Sequence, residues 1–202
     1  SSNGRVMSIL LVSKVPIKKL DKKPVALTNT SATSQVLTRI ILKEQYHLSP
    51  RYFECPPDLP EMLREADAAL LIGDDALRVW VRQPKELYVY DLGETWKKLT
   101  GEAMVYAVWA VRRAYAAKHP ERVRAVFHAF KNSMYLSLEN IDAIARDISR
   151  WEPFSVKFLK DYFKALQFNF GQEYQRGLLR YYTMAKKVGA IDRIPQLKFV
   201  DM

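Results

Sequence analysis

Between Val25 and Gly73, short apolar runs alternate with stretches that carry helix signals, and this alternation limits the fold more than any other feature of the chain. Val25–Leu27 reads as a short buried strand. The segment after it carries Val36, Leu37, Ile40 and Ile41 at the i, i+1, i+4, i+5 spacing of one helix face. "PRYFEC" reads as the next strand, stopped by Pro56 and Pro57. Asp58, Leu59, Pro60 and Glu61 then supply an N-cap acceptor, a first-turn proline and an acid at the third position, which together predict a helix start. "ADAALLIGD" follows as an apolar, central strand. Parallel strands joined by crossover helices produce this pattern, so the expected fold class is α/β.

The flanks are read in the same way. Residues 5–14 predict a strand closed by Pro16 and the charged "KKLDKK" turn, and residues 87–90 and 103–110 are two further extended candidates. The rest reads as helical. One helix covers 119–131 and begins near Pro120; a second, capped by Ser137, carries Ile141, Ile144 and Ile148. A third starts near Ser155 and carries Phe158, Leu159, Tyr162, Phe163 and Leu166, and a fourth spans 171–188 with Tyr174, Leu178, Tyr181 and Ala185 on one face. Such aromatic stripes are core-facing surfaces rather than cofactor boxes. The 202 residues suffice for one large domain or two small lobes sharing a hinge.

Composition removes several function classes. The longest apolar runs are far too short to span a bilayer, and no basic-then-apolar leader opens the chain, so no membrane contact and a cytoplasmic location are expected. Cys55 is the only cysteine, which excludes an intramolecular disulfide and argues against a cysteine-rich zinc site. The net charge of +10 is scattered over nearly every segment, without a zinc finger or an aromatic RNA-binding signature. A basic surface that attracts anionic small molecules is expected in place of nucleic-acid binding.

Six of the seven residues between Leu27 and Gln35 are Thr, Asn or Ser. A helix starting there presents unpaired backbone N–H groups and the positive end of its dipole. Thr30, Ser31, Thr33 and Ser34 add hydroxyls that can donate to an anion resting on that end, at a strand's carboxyl edge. N-capping alone needs only one of them. Asp74 and Asp75 follow the "LLIG" strand at the same kind of edge; they could bind a metal, polarise a hydroxyl, or simply cap a helix. His47, His119 and His128 read as surface histidines, and no GxSxG, HExxH, P-loop or GxGxxG pattern occurs. Composition and spacing therefore stop at an α/β binder of small anions.

"MSILLVSK", "VALTNTSATS", "CPPDLPEMLREADAALLIGDDAL", "DLGETWKKLTGEAMVYAVWAVRR" and "ISRWEPF", in this order over nearly the whole chain, resemble the chorismate dehydratases of the futalosine route to menaquinone. The resemblance implies a type II periplasmic-binding-protein-like fold, two α/β lobes joined by crossing strands. It implies a hydro-lyase that converts chorismate to 3-[(1-carboxyvinyl)oxy]benzoate by losing water, without cofactor. Residues 1–20 would supply a crossing strand of the first lobe, 21–92 the second lobe, and 93–202 the return strand and helical remainder of the first. Ser8 is implied as catalytic, and Thr30, Ser31, Thr33 and Asp74 as substrate-binding, with the substrate a dicarboxylate. Ser8, Thr30 and Ser31 would face the cleft between the lobes.

Two readings of the same scaffold stand beside it. One is a non-catalytic carboxylate-binding protein. The other is the sister 1,4-dihydroxy-6-naphthoate synthase, whose catalytic His follows the strand that corresponds to Ala68–Ile72; here that position is Gly73, which favours the dehydratase. Members of the family open with an N-terminal half-lobe carrying a "YLN"-type motif that is not in this sequence. Apolar groups on Ile9, Leu11, Val108 and residues 123–130 are therefore expected to lack cover, and the chain to self-associate or rearrange a lobe. Turnover by this chain alone is expected to be poor.

Overall fold

In the computed structural model, which describes residues 1–200, the alternation appears as expected. The last two residues of the expected 93–202 segment lie outside the described residues. In chain order the elements are β1 (Ile9–Ser13), β2 (Pro24–Thr28), α1 (Ala32–Glu44), β3 (Arg51–Cys55), α2 (Leu59–Glu65), β4 (Ala68–Ile72), α3 (Gly73–Arg82) and β5 (Tyr88–Asp91). There follow α4 (Leu92–Thr100), α5 (Arg113–Lys118), α6 (Pro120–Glu139), α7 (Ile141–Ile148), α8 (Val156–Ala165) and α9 (Gln172–Lys187). Two compact units result: Ser1–Tyr106 with Ala165–Ile194, and Ala107–Lys164 with the described residues from Pro195 on.

The first unit is built on a five-stranded sheet in the order β3-β2-β4-β1-β5. β2 runs parallel to both β3 and β4, whereas β1 is antiparallel to β4 and β5. Only β1 runs against the rest. Right-handed crossovers then decide which face each helix covers. The β2-to-β3 connection moves one way along the sheet, through α1; the β3-to-β4 and β4-to-β5 connections move the other way, through α2 and α3. Accordingly Leu10, Val12, Ala26, Ala69 and Leu71 share one cluster with Met62 of α2, Ala66 at that helix's end, and Ala76 and Val79 of α3. The alternating residues Leu11, Leu27 and Leu70 are also fully buried and turn to the opposite face. There α1 packs against α4 and α9, burying Leu37, Ile40 and Ile41 completely. Each such aliphatic side chain contributes about 1.5–3 kcal/mol. Trp96 of α4 is fully buried, meets the Tyr181 ring edge-on at 6.2 Å, and donates its Nε1–H to the Ala103 carbonyl at 3.3 Å.

The second unit is helical. Trp109 stacks on Phe130 with ring centroids 4.3 Å apart, Phe154 lies 5.5 Å from Phe158, and Lys160 of α8 pairs with Asp142 of α7. α6 buries none of its residues, and Val108, Val126 and Phe130 are exposed.

Four local expectations need correction. The first strand is confined to Ile9–Ser13, because Met7 takes a positive φ of 63° that no strand accommodates. Residues 103–110 form no strand: Met104 makes one isolated antiparallel bridge to Ser2, and the stretch beyond finds no ladder partner. Ser137 caps nothing; it sits inside α6 with its hydroxyl donating back to the Ser133 carbonyl, and the helix breaks at Asn140 instead. Ile9 and Leu11 are buried within the sheet, so the missing cover expected for them is not found.

Candidate functional site

β2 and β4 lie side by side, yet their onward connections diverge, one toward β3 and the other toward β5. The crevice at their carboxyl ends is therefore a topological switch point, the position where open α/β sheets take ligands. Because β1 is reversed, its amino end arrives at this same edge. Ile9 pairs with Ile72, and the Gly73 amide donates to the Ser8 carbonyl at 2.9 Å. Ser8 thus stands next to Gly73 and Asp74, with β4 between it and the end of β2 at Thr28.

The hydroxyls after β2 divide their work. Ser31 is the N-cap of α1: its Oγ accepts from the Ser34 amide at 3.3 Å and donates to Ser34 Oγ at 2.9 Å. Ser34 is buried, and its carbonyl accepts from the Thr38 hydroxyl at 2.8 Å. Thr28 and Thr30 share a hydroxyl–hydroxyl bond of 2.8 Å, and Gln35 fixes the Thr28 carbonyl through its side-chain amide at 3.0 Å. Thr30 is exposed and Ser31 half-buried. Helix geometry leaves the amides of Ala32 and Thr33 without an intrahelical acceptor. Thr33 itself turns toward α9. Its carbonyl accepts from the Tyr181 hydroxyl at 3.1 Å, and with Val36, Tyr181, Ala185 and Ile191 it lines a groove of about 250 Å³.

α3 starts directly off β4, with Ile72 as N-cap and no side-chain cap. Gly73 makes the turn at φ 61°, in the left-handed region that glycine occupies freely. Asp75 pairs with Arg78 at 3.1 Å, while Asp74 is exposed in the first turn. Neither aspartate caps the helix, so that reading of the pair is set aside. Ser8 is only 7% exposed, and its Oγ donates to the Val6 carbonyl over a long 3.4 Å. Such a stretched bond leaves the hydroxyl weakly committed. Thr30, Ser31, Asp74 and Ser8 therefore share one sheet edge, with Thr33 round the helix from them.

One residue of this region was not singled out from the sequence. Asp91, the last residue of β5, is buried and caps α4 by accepting from the Glu94 amide at 2.9 Å. It also accepts from the amides of Val6 and Met7, at 3.0 and 2.6 Å. Burial pushes its carboxyl above the usual carboxylate range, and these amides pull against that rise. The "DLG" that contains it is a visible signal of a helix cap; its second set of donors is not local. Among the described residues no group of three or more His, Cys, Asp or Glu is placed to hold a metal ion, and no helix is long and apolar enough to cross a membrane.

Residues 1–187 match a protein family described as "Menaquinone biosynthesis". The chain belongs to that family. It is 37% identical over 124 residues to the chorismate dehydratase of Thermus thermophilus, an alignment that covers 54% of this chain and 44% of that protein. The chain therefore spans less than half the length of this curated relative. In three dimensions it is similar to the crystal structure of an ABC transporter from Parabacteroides distasonis, with a TM-score of 0.54 and 16% identity over 98% of this chain and 72% of the other. At that identity the likeness speaks for the fold alone, and it agrees with the periplasmic-binding-protein-like α/β class expected from the menaquinone family resemblance.

Proposed function

We propose that this chain carries the substrate-binding edge of a chorismate dehydratase, a hydro-lyase that forms 3-[(1-carboxyvinyl)oxy]benzoate in the futalosine route to menaquinone. One observation carries the reading. The amino end of β1 and the carboxyl ends of β2 and β4 meet at one switch point, bringing Ser8, Thr30, Ser31 and Asp74 to a single edge. Chorismate has two carboxylates and a hydroxyl. A carboxylate fits the start of α1, where the Ala32 and Thr33 amides, the helix dipole and the Thr30 and Ser31 hydroxyls all favour negative charge. Asp74, an acceptor only, suits a substrate hydroxyl and would repel a carboxylate. Ser8 is assigned to the reacting end.

The reaction removes the proton from the tetrahedral ring carbon that bears the enolpyruvyl ether and expels the hydroxyl from the neighbouring ring carbon, which leaves as water once protonated. Aromatisation favours both bond cleavages. Positioning and carboxylate stabilisation then supply much of the rate, and the substrate's own enolpyruvyl carboxylate serves as base, consistent with the absence of a histidine at position 73. In the same proposal the protein acts in the cytoplasm. Incubating the full-length protein with chorismate and following the aromatic product by absorbance tests it. Formation of the product is expected; tight binding of chorismate without turnover would favour the non-catalytic reading, and indifference to chorismate would overturn both.

A further inference from the structure

We propose that Asp91 is a positioning residue for Ser8, acting through a strained turn at Met7; the catalytic significance of that turn rests on the function proposed above. The Ser8 amide donates to the Val6 carbonyl at 2.8 Å, two residues back, while Met7 between them has φ 63°. This is a γ-turn of the hand that L-residues avoid, and a side chain at its centre makes it costly. Met7 is not glycine, and its side chain is buried, so the turn cannot relax by swinging into solvent. Something must over-determine it.

The over-determination comes from one carboxylate. Both amides that flank the turn point at Asp91, with Val6 at 3.0 Å and Met7 at 2.6 Å, and the same side chain holds the first turn of α4 through Glu94 at 2.9 Å. Asp91 is 4% exposed, in a setting where charge-assisted bonds are strongest. Gly93 completes the arrangement: a Cβ there would stand 2.5 Å from the Gly4 carbonyl oxygen and 2.5 Å from the Tyr106 hydroxyl, so only glycine lets the Ser2–Gly4 strip lie across α4. Beyond the turn, Ser8 is tied to the end of β4 by its carbonyl bond to Gly73, and among the described residues its hydroxyl has only the long contact to Val6. The direction of that hydroxyl is therefore set by the Met7 dihedrals, and these are set by Asp91.

The test uses the full-length protein and three variants. Asp91→Ser keeps a good N-cap for Glu94 yet is too short to reach Val6 and Met7 as well. Asp91→Asn preserves shape and removes the charge. Met7→Gly, combined with Asp91→Ser, lets the turn form without help. The first readout needs no substrate: the Val6 and Met7 amides are expected to be protected from hydrogen exchange in the parent and to lose protection in Asp91→Ser, while the Ser8 amide and Cβ resonances shift. Restoration of the Ser8 resonances by Met7→Gly is expected, because glycine accepts the left-handed region. The second readout is kinetic: with chorismate, kcat is expected to fall about 100-fold in Asp91→Ser with KM little changed, the scale of a misplaced reacting group.

Unmoved Ser8 resonances in a folded Asp91→Ser or Asp91→Asn protein overturn the proposal, as does a loss of activity that only tracks the unfolded fraction. A parent protein that ignores chorismate while Ser8 still shifts on mutation removes the functional reading and leaves the positioning intact, so the two failures are separable.

Discussion

Gly177 of α9 lies so close to Ala103 that a Cβ on it would stand 2.1 Å from the Ala103 carbonyl oxygen. The obstacle is backbone, already held by the Trp96 indole, and cannot step aside like a flexible side chain. Gly177→Ala would gain about 1 kcal/mol of helix propensity, but overpacking of this kind costs about 1–3 kcal/mol or more. A net destabilisation is expected, read as a lower Tm; an unchanged or higher Tm would show that α9 can lift off without loss.

Ser31 combines a structural and a ligand-facing role, and two substitutions separate them. Ser31→Ala removes the cap of α1 and should cost about 1 kcal/mol of stability, together with about 1–3 kcal/mol of chorismate binding for the lost hydrogen bond. Ser31→Asp restores a cap and places a negative charge where a carboxylate is proposed to rest. Its Tm should stay near that of the parent while calorimetry shows binding abolished. Intact binding in the aspartate variant would move the anion away from α1.

Alkaline pH should unfold the first unit. Burial pushes the Tyr52 hydroxyl up to about 12 and raises Tyr106 and Tyr181 as well, from an ordinary value of 10.0. Each holds its proton more firmly folded than unfolded, so their contribution is complete below pH 10 and is lost as pH rises through the folded values. Circular dichroism melts between pH 9 and pH 12 are expected to show Tm falling above about 10, with a shallower fall in Tyr52→Phe. A flat profile would contradict this burial.

The second unit leaves Trp109 84% exposed, with Val126, Phe130 and Leu136 also open to solvent. Soluble proteins rarely leave apolar groups open in such concentration. Sedimentation of the isolated chain is expected to show concentration-dependent association, weakened by Phe130→Asp. A monomer at all concentrations would remove the expectation.

The βαβαβ core was legible because its signals are local: apolar runs of strand length, Asp58 and Ser31 at cap positions, and prolines that stop strands. The same locality explains the failures. Residues 103–110 have strand-like composition, yet a strand exists only where a partner ladder is free, and sequence spacing does not reveal one. Ser137 resembles a cap as written but bonds back to Ser133 within a continuing helix. Of the site, the hydroxyl cluster and Asp74 were readable as chemistry at strand ends. The Met7 turn and the amides converging on Asp91 were not, because they join residues remote in sequence, Val6 and Met7 with Asp91.

The reversed strand β1 also dictates an order of assembly. Its partners are distant in the chain: Ile9 meets Ile72, Leu10 meets Asp91, and the amino group of Ser1 reaches the carbonyl of Gln167. The β2–β3–β4 portion can close on short loops, whereas β1 must wait for β4 and β5 and bear the loop-closure entropy of both. During synthesis the segment carrying Ser8 emerges before its sheet neighbours β4 and β5 and must wait for them. A nascent or partly unfolded chain therefore has a sheet before it has a site.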